Sequence, residues 1–149
     1  MSLEKLGKLY RTVVLEHAEN PHHKQTMADA TVSGALQNLS CGDEIRVFMK
    51  ISAAHVQAVS FMGTGCTISQ ASASMMTDTL CQCSVAEAQH CCQSFFALTM
   101  GQTVTQSAQQ QLGDAELLAS LAEFPARIKC ATLAWHAALT ALKGGQTNE

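Results

Sequence analysis

Between Glu44 and Met62 apolar residues fall on every second position, and from Cys66 onward they recur every third and fourth without returning to alternation. That switch of period confines the strands to one stretch and leaves the rest of the chain helical. Ile45, Val47, Met49 and Ile51 alternate with Glu44, Arg46, Phe48 and Lys50, the pattern of a half-buried strand. Ser52 to Ala54 makes a short turn, Val56 to Met62 is its hairpin partner, and a weaker strand covers Thr31 to Leu39. Three antiparallel strands with one apolar face need a helical cover. The fold class is therefore α+β, a three-stranded antiparallel sheet packed by about five helices.

Helix signals bracket this stretch. Leu6, Leu9, Tyr10, Val13 and Val14 recur at three and four from Leu3 to His17, and Asn20-Pro21 ends that helix. After the Gly63-Thr64-Gly65 junction, Ile68, Ser72, Met75, Met76 and Thr79 share a face of small and apolar residues. Ser84-Val85-Ala86-Glu87 is a capping box opening a helix to about Thr99. The glutamine-rich tract Gly101–Leu112 reads as a mobile connection, Asp114 as the cap of a short helix to about Glu123, and Pro125 as the first turn of a last helix reaching Leu142. The tail 144–149 reads as flexible. No internal repeat divides the chain, so residues 1–149 form one domain.

Composition narrows the function. Hydrophobic residues make up 47% of the chain and charged ones 14%, against roughly 25% in an average domain, which excludes a disordered chain. Nine Lys and Arg, no basic run and a net charge of −3 exclude a nucleic-acid binder. No apolar run reaches membrane-spanning length and the first residues carry no secretory pattern, so a cytoplasmic protein is expected.

Seven cysteines in such a chain are metal ligands, nucleophiles or buried small hydrophobes rather than disulfides. Cys41-Gly42-Asp43 places a thiol and a carboxylate where they can converge on one ion; the same tripeptide also suits a plain turn. Cys66 follows two glycines at a helix start, where partial positive charge favours a thiolate, as nucleophile or as ligand. Cys130 shares a helix face with Leu133, Ala134, Ala137 and Ala141, so burial alone accounts for it. Cys81, Cys83, Cys91 and Cys92 read as structural. His22, His23, His55, His90 and His136 form no ligand pair by spacing and read as having no metal role.

Gly63–Met76 (GTGCTISQASASMM) and Phe124–Leu139 (FPARIKCATLAWHAAL) resemble the second and third cysteine motifs of the SufU branch of the IscU/NifU-like family. Asn38–Ile45 (NLSCGDEI) resembles its first motif, and Leu9–Lys24 its N-terminal helix and Asn-Pro segment. The resemblance runs from about residue 3 to residue 143. It implies a zinc ion held by Cys41, Asp43, Cys66 and Cys130, with Arg127 and Lys129 as electrostatic support. It further implies a zinc-dependent sulfurtransferase of iron–sulfur cluster assembly, in which Cys41 accepts persulfide sulfur from a SufS-type cysteine desulfurase and relays it to downstream assembly proteins. Leu39 or Ser40 stands where the family often has proline, Thr64 where it often has an acidic residue, and Gln25 where it often has glycine. None of these removes a ligand.

The alternative is a scaffold of the same family holding a [2Fe–2S] cluster on the same residues, since thiolate sites accept both. The scaffold branch typically carries His before its third cysteine, where this chain has Lys129, and a Leu-Pro-Pro-Val-Lys motif, where this chain has Phe124-Pro125-Ala126-Arg127. The 64 positions from Cys66 to Cys130 also fit the insertion of the SufU branch. A purely structural zinc adaptor and a Cys–His hydrolase are further readings, and no base is nominated for the second.

Overall fold

The computed structural model describes residues 3–39 and 42–144, with side chains from residue 7. The helix Leu3–Glu19 (α1) comes first, followed by strands Val32–Asn38 (β1), Asp43–Ser52 (β2) and His55–Thr64 (β3). Helices Thr67–Leu80 (α2), Val85–Thr99 (α3) and Gln106–Leu112 (α4), a 3₁₀ helix over Gly113–Glu123 and helix Pro125–Leu142 (α5) complete the chain. The sheet is antiparallel in the order β1-β2-β3, so the α+β expectation holds.

Alternation decides which sheet face is covered. Ile45, Val47, Met49, Val59 and Phe61 are buried, while Glu44, Arg46 and Lys50 point to solvent. Helix α5 lies against β1 and β2 on the apolar side. Gly34 allows the closest approach, because a Cβ there would strike the Ala137 carbonyl of α5. Behind the sheet, Phe95 of α3 stacks on Trp135 of α5 at 4.1 Å. Ala53 and Ala54 turn the β2–β3 hairpin with φ of 52° and 59°, both left-handed.

Two segments depart from the sequence reading. The glutamine-rich tract contains a capped helix: Thr105 accepts from the Ala108 N–H at 3.1 Å, and Ala108 and Leu112 bury its inner side. The segment after it is a 3₁₀ helix that Asp114 does not cap. Instead the Asp114 carboxylate meets His17 of α1 at 3.0 Å. The expected tail 144–149 lies outside the described residues apart from Gly144. Among the described residues no helix is long and apolar enough to cross a membrane.

Candidate metal centre

Register places the site. Asn38 pairs with Asp43, and Glu44 pairs with Thr64, so the start of β2 and the end of β3 lie at the same sheet edge as the C-terminal end of β1. Helix α2 begins immediately after β3, with Cys66 as its extended N-cap residue. Cys130 sits in the second turn of α5, which crosses the covered face of the sheet. Three distant parts of the chain thus meet at one end of the sheet.

Asp43 is 3% exposed, an unusual place for a carboxylate without a partner. Its Oδ1 accepts from the Cys66 backbone N–H at 3.1 Å, and its Oδ2 lies 3.8 Å from Cys66 Sγ. The N–H is one of those left over at the start of α2, and the carboxylate supplies its acceptor. Gly65 leaves room for this arrangement. A Cβ at that position would stand 2.7 Å from Asp43 Oδ1 and strike Ser69 Oγ.

Ligand atoms of Asp43, Cys66 and Cys130 all lie within 4.8 Å of one another. Ligands standing tetrahedrally around zinc at its usual bond lengths are about 3.5 Å apart, so small side-chain rotations would close this set on one ion. The donors suit zinc or an iron–sulfur cluster, since two are thiols and the carboxylate is already desolvated. Cys41 lies outside the described residues. Its neighbour Gly42 has φ of 78°, a left-handed turn leading into Asp43.

The surroundings are open on one side. Tyr10, Leu121, Phe124 and Arg127 line a cleft of about 400 Å³ that reaches Cys66. Burial pushes the Tyr10 hydroxyl above its ordinary pKa and the Arg127 guanidinium partly offsets this, so it stays a neutral donor. Lys129 lines a neighbouring cleft with Asn38 and Leu39. The two cations therefore border the site from different sides. Leu39 and Phe124 are 88% and 58% exposed, two bare apolar side chains near the centre.

The other cysteines lie apart. Cys91 and Cys92 are buried in the core, and burial pushes the Cys91 thiol up to about 12 and that of Cys92 higher still. Cys83 is raised too, by burial and then by Glu87 and Cys81. These thiols stay protonated, as the structural reading expects of small hydrophobes.

Spacing missed one cluster. His17 and His22 come together with Asp78, each offering a ligand atom within 4.8 Å of the others. The Asn20-Pro21 break folds the following loop back, and pairing of Lys24 with Phe61 anchors it beside β3. The available signal was a histidine at a helix end followed by a His-His pair just past the break.

Residues 9–142 match the family described as the NifU-like N terminal domain. The chain is 44% identical over 143 residues to the iron-sulfur cluster assembly scaffold protein IscU of Streptococcus pyogenes serotype M1, covering 96% of this chain and 88% of that one. It is 41% identical over 132 residues to the zinc-dependent sulfurtransferase SufU of Bacillus subtilis strain 168, covering 89% and 88%. Among solved structures it resembles a candidate scaffold of the SUF system from Fervidobacterium islandicum AW-1, with a TM-score of 0.81 and 25% identity over 87% of this chain and 93% of that one.

Proposed function

Because the chain belongs to the family of NifU-like N-terminal domains, we propose that it serves iron–sulfur cluster assembly as a zinc-dependent sulfurtransferase, an enzyme relaying sulfur from a cysteine desulfurase. The convergence of the Asp43 carboxylate with the thiols of Cys66 and Cys130 carries this reading. Cys41, two residues before Asp43, completes the ligand set and is the sulfur acceptor. A bound zinc ion keeps its thiol ligands deprotonated without redox chemistry of its own.

The chain's own residues account for the rest. Asp43 is held by the Cys66 N–H, which orients its carboxylate toward the Cys66 thiol. Cys66 is held by the start of α2, and Cys130 by the packed body of α5. Cys41 falls in sequence between β1 and β2, and it is the ligand assigned to react. Its thiolate attacks the outer sulfur of the desulfurase persulfide; the new S–S bond forms as the old one breaks, and the desulfurase thiolate leaves. No electron is gained or lost overall. Exposed Leu39 and Phe124 and the cation Arg127 offer a surface for the desulfurase.

Lys129 before Cys130 supports relay over scaffold, because an ammonium has no lone pair to offer iron. A decisive experiment incubates the protein anaerobically with a cysteine desulfurase, cysteine and ferrous iron, then desalts it. Zinc retained at about one per chain, with an extra sulfur on Cys41 by mass spectrometry, is the expected result. Loss of zinc to iron and sulfide, with transfer of the cluster to an apo-acceptor, would establish the scaffold reading instead.

A further inference from the structure

A second group of metal-ligand side chains lies where α1, the loop after it, α2 and the 3₁₀ helix meet. His17 is 3% exposed, and its Nδ1 sits 2.7 Å from Ser74 Oγ. The same hydroxyl accepts the His22 backbone N–H at 2.7 Å, which fixes the loop against α2. Nε2 of His17 is thereby turned to Asp114 Oδ2 at 3.0 Å. His22 Nδ1 lies 2.5 Å from Asp78 Oδ2, and the two imidazole rings are 4.6 Å apart. Asp78 and Asp114 also both line an adjoining cleft of about 100 Å³, which leaves both carboxylates open to solvent on that side.

We propose that His17, His22 and Asp78, with Asp114 as a fourth donor, form a second divalent-cation site, separate from the cysteine centre and suited to zinc, nickel or cobalt. Donor chemistry sets the class: two imidazoles with one or two carboxylates match borderline first-row ions, whereas calcium and magnesium take oxygen throughout. Charge points the same way. Among the described residues the ion-pair partners of Asp78 and Asp114 are imidazoles, with no lysine or arginine. A divalent ion would add fixed positive charge beside the two carboxylates.

Orientation is already provided. A metal-bound histidine usually gives its other ring N–H to a fixed acceptor, and Ser74 Oγ fills that role for His17. His22 and Asp78 are 45% and 41% exposed in their side chains, so an ion can enter without opening the core. Binding would tie α1 to α2 and to the 3₁₀ helix through side chains that now meet only as hydrogen bonds and ion pairs.

The test uses the full chain with its cysteine centre first filled with zinc. Cobalt(II) is then titrated by equilibrium dialysis, with optical spectra recorded. The wild type should take up a further equivalent without a new thiolate-to-cobalt charge-transfer band. His22→Ala and Asp78→Asn, both at half-exposed positions, should each weaken that uptake at least about tenfold, while His55→Ala leaves it unchanged. No further uptake, uptake unchanged in both variants, or uptake lost in His55→Ala would overturn the proposal. The charge-transfer band reports the cysteine centre separately, so failure of one site cannot be mistaken for failure of the other.

Discussion

The carboxylate of Asp43 accepts the backbone N–H of Cys66 at 3.1 Å while its second oxygen faces the Cys66 thiol. The first residue of β2 and the cap of α2 are therefore one unit, and the acid is oriented before any ion arrives. Asp43→Ala removes both a ligand and that orientation. Zinc affinity, measured by competition with a chelator, should fall at least about tenfold, and Cys41 should become more open to alkylation. Unchanged affinity would remove Asp43 from the ligand set.

Gly65→Ala tests the same unit without touching a ligand. The added methyl would stand 2.7 Å from Asp43 Oδ1 and strike Ser69 Oγ, so the carboxylate must rotate away. Overpacking costs about 1–3 kcal/mol, and zinc affinity should drop by a larger factor than a loss of stability alone explains. Retained affinity with a lowered melting temperature would show that the loop gives way while the carboxylate stays.

Ser72 is buried between two partners: it donates to the Ala131 carbonyl and accepts from Trp135 Nε1 at 2.8 Å. Ser72→Ala leaves the indole N–H unsatisfied in the core. Thermal or denaturant unfolding should show a loss of about 1–3 kcal/mol, and Ser72→Cys should recover only part of it.

Burial separates the cysteines by reactivity. Cys91, with its thiol pushed up to about 12, should resist alkylation at pH 8 in the folded protein, as should Cys92. Stability linked to such a raised thiol is fully present and independent of pH below the ordinary cysteine pKa; above it, as the unfolded chain ionises first, stability falls with increasing pH. Replacing Cys81, Cys83, Cys91 or Cys92 by alanine should leave sulfur transfer intact in every variant that folds. Loss of transfer in a folded variant would place that cysteine in the reaction.

What could be read from the chain was local. The β2 alternation, the Ser84 and Glu87 capping box and Pro125 at the start of α5 each report on a few neighbouring residues, and each appears in the fold. Helix α4 escaped because its glutamine surface has no apolar stripe, only Ala108 and Leu112 turned inward. Asp114 read as a helix cap, yet its partner His17 is 97 positions away. The Asp43, Cys66 and Cys130 settings were visible as turn, helix start and helix face, while the His17–His22–Asp78 grouping arises only once α1 lies on α2.

Asp43 and Cys66 are 23 positions apart, and Cys66 and Cys130 are 64. A single ion gripping all three would close two consecutive lengths of chain, the longer one containing α2, α3, α4 and the 3₁₀ helix. Its effect on the whole molecule would resemble that of a crosslink, restricting the unfolded ensemble more than it adds contacts to the folded one. The metal-free chain should then be the form that proteases cut, with the short helices between Gly101 and Glu123 as the first place to open.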